Sequence, residues 1–253
     1  MDYGLKIVVW NVRGLNSRSR RCAIRSLLCN TRAAIVCLQE TKMALISSSV
    51  VLDTLGSEFD WSTYLPADGT RGGILLAWNT RVVTISDLQF MQHAVTAKVC
   101  VPGGNPWWLT TVYGPQSDQD KLAFVQELRD IRATSPGPWM LCGDFNLICH
   151  ASDKSTGNVN HRMMGRFRRV INDFPLRRCT STGAASRGPV SSRLLRSCAL
   201  TGCSAPRTGR IAMASATSAA WHPSSPTTVP CSWTARPCPR LIGASTLRSS
   251  GCA

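Results

Sequence analysis

Three polar clusters each close a run of apolar, β-branched residues: Trp10-Asn11-Val12-Arg13-Gly14-Leu15-Asn16, Leu38-Gln39-Glu40-Thr41-Lys42 and Cys142-Gly143-Asp144-Phe145-Asn146. A fourth is Val112-Tyr113-Gly114-Pro115. Together they offer two carboxylates (Glu40, Asp144), two carboxamides (Asn11, Asn146) and the phenol of Tyr113. An oxygen-only donor set suits Mg²⁺, or Mn²⁺ in its place. Such an ion keeps several waters and takes one or two carboxylates plus phosphate oxygens of a substrate. A second carboxylate kept off the metal can orient and deprotonate a water. The chemistry this combination points to is hydrolysis of a phosphoester by an activated water.

These side chains can meet only if rigid elements deliver them to one rim. Hydrophobic patterning predicts strands over Lys6–Trp10, Ala34–Gln39, Gly73–Trp78, Val82–Ser86, Ala94–Val101, Trp107–Tyr113 and Trp139–Cys142. Helices are expected over Ser17–Asn30, Asp118–Ala133 and Met163–Phe174, the second begun by acids and closed by Ser135-Pro136-Gly137-Pro138. Each polar cluster then sits at the C-terminal end of a strand. Many strands with a few interleaved helices imply a layered α/β sandwich. No internal repeat interrupts this pattern.

On these four motifs the sequence resembles the endonuclease/exonuclease/phosphatase superfamily, and within it the apurinic-type endonuclease domain of non-LTR (LINE-type) retrotransposons. One motif alone recurs by chance; four in order, each on a strand end, carry the resemblance over residues 4 to about 175. It implies a four-layered α/β sandwich of the DNase I-like type, incomplete here at the C-terminus. It also implies roles: Glu40 holds the divalent metal, Asp144 activates the attacking water, Asn11 and Asn146 fix the metal shell and the scissile phosphate, and Tyr113 contacts the phosphate. The partner implied is DNA, met at its phosphate backbone; no obligate protein partner is inferable. The family's site is completed by an Asp in an Arg-x-Asp-Arg strand and by a Ser-Asp-His-x-Pro motif. No Asp-His pair occurs in this sequence, so little or no nuclease activity is expected of the chain.

The formal net charge is +15, from 29 Lys+Arg against 14 Asp+Glu, an excess that suits a polyanionic partner. With 43% hydrophobic residues the chain can form a core, so disorder throughout is excluded. No apolar run approaches the roughly 18 to 20 residues of a membrane span, and Met1-Asp2-Tyr3 does not begin a signal peptide. An intracellular protein is expected, nuclear if it acts on DNA, and neither secreted nor membrane-bound. The averages hide a boundary. All 14 acids lie at or before Asp173, leaving residues 1–173 at +5 and the remainder, with ten Arg and no Lys, at +10. From Leu176 to Ala253 only ten of 78 residues are Leu, Ile, Val or Phe, below the roughly 20% at which a charged chain supports a core. The organisation expected is a partial endonuclease-like domain over 1–175 and a basic, disordered tail over 176–253.

The tail's omissions follow the genetic code. Asp, Glu, Asn, Gln, Lys, Tyr and His share A at the second codon position. The first 175 residues hold 40 of them, so the next 78 should hold about 18, yet they hold one, His222. A GC-rich coding sequence read out of frame has this composition. The codons of Pro226-Thr227-Thr228-Val229-Pro230, read from the last base of the first, allow Asp-His-Cys-Pro. In the same frame Arg178–Pro189 allows Met-Tyr-Leu-Asn-Gly-Arg-Arg-Phe-Thr-Trp-Ser, and Thr201-Gly202-Cys203 falls where Asp-Arg-Val-Leu is allowed. The closing motifs thus lie in order in one frame, which implies a frameshift near Arg177–Cys179.

Other features have plainer readings. Arg166, Arg168 and Arg169 on the basic helix could face a DNA backbone, where contacts position without reading sequence, or could simply be solvated. Gly69-Thr70-Arg71-Gly72-Gly73 lacks the Lys-Ser/Thr and following helix of a phosphate loop and reads as a hairpin turn. His93, His150 and His161 read as surface or loop residues, not as substitutes for the missing histidine. The 12 cysteines include no Cys-x-x-Cys pair, so Cys37, Cys100 and Cys142 read as buried thiols of apolar strands. Of Trp107 and Trp108, adjacent on one strand, one should be core and the other exposed or covered by a second layer. The competing class is a non-catalytic basic nucleic-acid-binding protein with the tail as an arm; a phosphatase acting on a small phosphoester is a third.

Overall fold

Lys6-Ile7-Val8-Val9-Trp10-Asn11 forms β1 (Lys6–Asn11), which leads through α1 (Arg18–Leu28) into β2 (Ile35–Gln39). In a computed structural model of the chain the two strands lie parallel, with Asn11 level with Gln39. The residues described are 5–29, 31–69, 71–151, 159–174 and 176–178, with two short strands at 200–202 and 212–214. The chain divides into two compact units, Met1–Ser218 and Ala219–Ala253, and the second falls outside the described residues.

After β2 come α2 (Ser48–Leu55), β3 (Trp61–Asp68), β4 (Arg71–Trp78), β5 (Thr84–Phe90), β6 (Ala94–Cys100) and β7 (Trp107–Tyr113). Then follow α3 (Asp118–Thr134), β8 (Trp139–Asp144), α4 (His161–Asp173), β9 (Leu176–Arg178), β10 (Leu200–Gly202) and β11 (Ala212–Ala214). They make a five-stranded sheet in the order β11-β1-β2-β4-β3 and a six-stranded sheet in the order β5-β6-β7-β8-β10-β9. The second sheet repeats the motif of the first: β7 and β8 are parallel, joined through α3, with Tyr113 level with Asp144.

Three apolar layers explain why β2 and β8 read as unbroken hydrophobic runs. Between the sheets, Ile7, Ile35, Cys37, Ile74 and Leu76 meet Val95, Ala97, Leu109, Met140 and Cys142. On the outer face of the first sheet Val36, Leu38 and Leu75 pack with Ile24 and Leu28 of α1 and Val51 and Leu55 of α2. On the outer face of the second, Val112 and Leu141 pack with Phe124 and Leu128 of α3 and Phe167 and Val170 of α4. Strands buried on both faces need no polar alternation, and each such side chain contributes about 1.5–3 kcal/mol over an exposed one. The result is the helix–sheet–sheet–helix sandwich expected. Trp107 and Trp108 split as alternation requires: Trp108 is buried under α3 and α4, its Nε1 donating to Pro136 O at 3.0 Å, while Trp107 packs against the intersheet layer.

Sequence patterning misses α2 and β3. The run Ser48-Ser49-Val50-Val51 has poor helix propensity, but the Ser47 hydroxyl accepts from Val50 N at 3.4 Å and starts the helix. Pro66 argues against a strand, yet β3 is the outer strand of its sheet, where a missing N–H costs nothing. β5 begins two residues late and runs four further. Val82 and Val83 are held in a turn on Asn79 O, and a bulge between Ser86 and Gln89, with Asp87 at φ 48°, breaks the alternation. Of the basic tail, the described parts are three strands of three residues each. β10 pairs with β8 and β9, and β11 with β1. The frame-shifted readings at Pro226–Pro230 and through most of Arg178–Pro189 fall outside the described residues.

Candidate active site

Parallel pairs put their C-terminal ends on one edge, the usual place for a ligand in α/β sheets. Here two pairs do so, and a hydrogen bond joins them: Asn11 Nδ2, ending β1, donates to Asp144 Oδ2, ending β8, at 2.8 Å. The other Asp144 oxygen accepts from Asn146 N at 3.1 Å. Both carboxylate oxygens are thereby aimed, and the residue is nearly buried, 6% exposed. Asn146 Nδ2 donates to Gly114 O at 2.6 Å, and Asn11 Oδ1 accepts from Arg13 N at 3.1 Å, which orients both amides.

The turns that follow these strands are unusual in backbone terms. Arg13, Glu40, Lys42 and Asn146 all have φ between 49° and 58°, a left-handed region that ordinary side chains seldom enter and that clusters at functional sites. The Glu40–Lys42 turn is docked on the start of β4: Thr41 N donates to Gly73 O at 3.2 Å and Lys42 N to Gly72 O at 3.0 Å. Gly73 is required there, because an added Cβ would collide with Thr41 Oγ1. Gly114 and Gly143 serve the other pair, allowing the chain to lie directly on the carbonyls of Phe145 and Val112.

Tyr113 ends β7 level with Asp144 and feels the charge of both carboxylates. Burial pushes its phenol above the ordinary 10.0, the negative charges of Glu40 and then Asp144 push it further, and hydrogen bonds with Gln116 and Asn146 offset part of this. The phenol therefore stays protonated at neutral pH and can donate. Its ring faces Gly72, where a Cβ would meet it at 3.7 Å. Hydrogen bonds thus join Asn11, Asp144 and Asn146, and Tyr113 stands within reach of Asn146 and of the Glu40 charge.

Among the described residues no three His, Cys, Asp or Glu side chains cluster. The donor set is two carboxylates backed by amide oxygens. That fits a hard, water-keeping dication such as Mg²⁺ or Mn²⁺ and not a zinc held by nitrogen and sulfur.

Residues 8–241 match the model of the endonuclease/exonuclease/phosphatase family. The chain belongs to that family. A curated relative, the exodeoxyribonuclease of Bacillus subtilis (strain 168), is 25% identical over 174 residues, covering 64% of this chain and 66% of the relative. The chain thus spans just under two thirds of that enzyme's length. Among solved structures, the AP endonuclease LMAP from Leishmania major aligns with a TM-score of 0.58 at 14% identity, covering 78% of each chain. The D. rerio TDP2, complexed with a single-strand DNA product, aligns with a TM-score of 0.53 at 16% identity over 81% of this chain and 87% of that one. At such identities the likeness is one of fold.

Within this endonuclease/exonuclease/phosphatase fold, sequence reasoning passed over three residues at the rim. Lys42 Nζ lies 3.0 Å from Glu40 Oε1. Gln39, wholly buried, donates from Nε2 to Thr111 Oγ1 at 3.0 Å and to Cys37 O at 3.1 Å, bridging the sheets just beneath the site. Thr41 is wholly buried beside Gly73. All three stand in the same string as Glu40, and the four-residue string itself was the available signal.

Arg166, Arg168 and Arg169 of α4 do not act as one surface. Arg168 gives Nε and Nη2 to Cys149 O at 2.8 and 2.6 Å, holding the loop before the helix. Arg166 is half-buried and lines an open cleft with Asp118, Asn160 and Met163, while Arg169 is exposed. His150 and His161 are exposed. His93 departs from a surface reading. It is half-buried, its ring edge-on to Phe124 at 5.6 Å, its pKa lowered by burial against the opposing pull of Asp120, and its carbonyl accepts from Tyr113 N at 2.9 Å.

Proposed function

We propose that the strand-end cluster is the inherited site of a Mg²⁺- or Mn²⁺-dependent phosphodiesterase that nicks DNA, derived from a non-LTR retroelement and inactive in this chain. The hydrogen bond from Asn11 to Asp144 carries this reading, because it makes one site of two strand pairs that are remote in sequence. Asp144, aimed through both oxygens, would take the proton of an attacking water. Tyr113, kept protonated, would donate to a phosphate oxygen, and Asn146 would hold the phosphate beside Asp144. Glu40 would hold the dication, whose chemistry is to neutralise charge gathering on the phosphate. The DNA substrate is supported by the +5 charge of residues 1–173 and by relatives named for acting on DNA. Of Arg166, Arg168 and Arg169, the first and last are left to meet a backbone, with Arg168 tied to Cys149.

The inactivity rests on what the sequence lacks. The family's closing histidine and its orienting Asp have no counterpart, since no Asp-His pair occurs and no Asp follows Asp173. A general acid of that kind is typically worth about 10²–10⁴ in rate. In this reading the boundary near residue 175 marks a frameshift at Arg177–Cys179, and residues 176–253 are its product. A supercoiled-plasmid nicking assay with Mg²⁺ tests the activity: no nicking above background is expected, and robust nicking abolished by Glu40→Ala would refute inactivity. Sequencing the locus and transcript across codons 175–180 tests the frameshift, and an intact frame with no alternative long frame would remove it.

A further inference from the structure

We propose that Lys42 sets the divalent-cation affinity of the site by holding the carboxylate oxygen of Glu40 that a dication would use. This rests on the reading of Glu40 as the metal-holding residue. Lys42 Nζ lies 3.0 Å from Glu40 Oε1, with the two side chains 35% and 17% exposed. The pairing is a property of the backbone and not of two flexible side chains meeting by chance. Glu40 and Lys42 flank buried Thr41, and their left-handed φ values of 58° and 55° turn both side chains to the same side. The lysine is fixed at both ends of its peptide unit. Its N donates to Gly72 O at 3.0 Å, and its O accepts from Asn16 Nδ2 at 3.1 Å. Its stem runs past Gly14, where an added Cβ would meet Lys42 Cδ at 3.5 Å.

A tethered ammonium on a carboxylate oxygen opposes a dication twice. It neutralises part of the charge that would attract the ion, and it occupies a lone pair that would bind it. The ion must displace the ammonium or share the oxygen with it, so affinity is lower than the carboxylates alone would give. Metal loading then follows the ion's concentration, while the lysine keeps Glu40 aimed at the rim.

The test is Mn²⁺ titration of the full chain, followed by the electron paramagnetic resonance signal of free hexaaquo-Mn²⁺. Lys42→Met keeps the stem and removes the charge, and its dissociation constant should fall about fivefold, the upper range for a part-exposed ion pair. Lys42→Arg keeps a cation and should stay within about twofold of the parent. Lys42→Gln gives a second neutral variant should the Met form fail to fold. Unchanged or weaker binding in the neutral variants, with Glu40→Gln abolishing binding, overturns the proposal alone. Binding that Glu40→Gln leaves intact removes the Glu40 assignment and the proposal with it.

Discussion

The β1–α1–β2 and β7–α3–β8 units share one topology and deliver site residues to one edge, but they hold them by different means. In the first, backbone does the holding: left-handed turns at Arg13, Glu40 and Lys42, docked by amide bonds on Gly72 and Gly73. The side chains it presents, Glu40 and Lys42, remain partly exposed. In the second, close approach does the holding, with Gly114 and Gly143 lying on neighbouring carbonyls and with Asp144 bonded through both oxygens. The lesson is a division of labour. On the roles proposed above, Asp144, the group that would accept a proton, is locked and nearly dry, whereas Glu40, the group that would hold a hydrated ion, stays partly open to water.

Glycine substitutions should break this comparison most sharply. Gly143→Ala forces a side chain onto φ 124° and drives its Cβ into the Val112 carbonyl oxygen, so β7 and β8 must separate. A loss of more than about 3 kcal/mol in denaturant-midpoint stability is expected. Gly72→Ala, at φ 73° with only the Tyr113 ring at 3.7 Å, should cost about 1–2 kcal/mol. Equal losses would mean the two units are held alike.

The bond between the units comes next. Asn11→Ala removes the donor to Asp144 Oδ2 and should cost about 1–3 kcal/mol at pH 7. Asn11→Asp should cost more, because it sets a second carboxylate within 2.8 Å of the first. One of the two then titrates above the ordinary carboxylate range. A carboxyl raised in the folded state contributes stability that is present at low pH and lost as pH rises through its folded pKa. The Asp variant should therefore recover relative to Asn11→Ala as pH is lowered from 7 towards 4. A pH-independent difference in urea unfolding would contradict the contact.

Much of this site was legible because each polar residue ends a strand whose apolar run is unmistakable: Val36-Cys37-Leu38 before Gln39-Glu40, Met140-Leu141-Cys142 before Asp144. Residue type at a strand end is a local signal, and local signals survive in a single sequence. What stayed hidden was set by torsion or by distance along the chain. The Glu40–Lys42 pair depends on two left-handed residues that spacing does not reveal, and the Gln39–Thr111 bridge joins positions 72 apart. The same holds for the fold. β3 carries a proline that only an edge position tolerates, and β5 carries a bulge at Asp87, so both lose the alternation by which strands are read. The tail's composition gave no strand signal, and β10 and β11 pair with the already apolar β8 and β1.

Tyr113 reports on both units at once, being raised first by burial and then by Glu40 and Asp144. Its phenolate, followed by absorbance near 295 nm, should titrate above the ordinary 10.0 in the parent and closer to it in Glu40→Gln. Because the folded value is the higher one, the stability linked to this group is intact below pH 10 and lost as pH rises beyond it. Glu40→Gln should flatten that loss. An unchanged titration would separate Glu40 from the phenol and leave Asn11 as the first unit's link to the site.

The smallest expected effect tests whether the second unit's rigidity extends behind Tyr113. Glu127 of α3 accepts from His93 N at 2.9 Å through Oε1, and burial raises its pKa above the ordinary 4.5 against that bond, with Asp130 adding to the rise. At pH 7 the ionised side chain is thus slightly unfavourable in the folded state, and the linked stability declines as pH rises through its folded pKa. Glu127→Gln keeps an oxygen for His93 N and removes the charge. Because the group is partly open to solvent, screening limits the gain to about 0.5 kcal/mol at pH 7, vanishing towards pH 4 where the parent is protonated. His93 O accepts from Tyr113 N at 2.9 Å, so the same variant should leave the Tyr113 titration unmoved if the bond to residue 127 is kept. A shift of the phenol with no gain in stability would mean that His93 N had lost its acceptor, and that the support behind the phenol runs through the charge of Glu127 and not through the geometry of its oxygen.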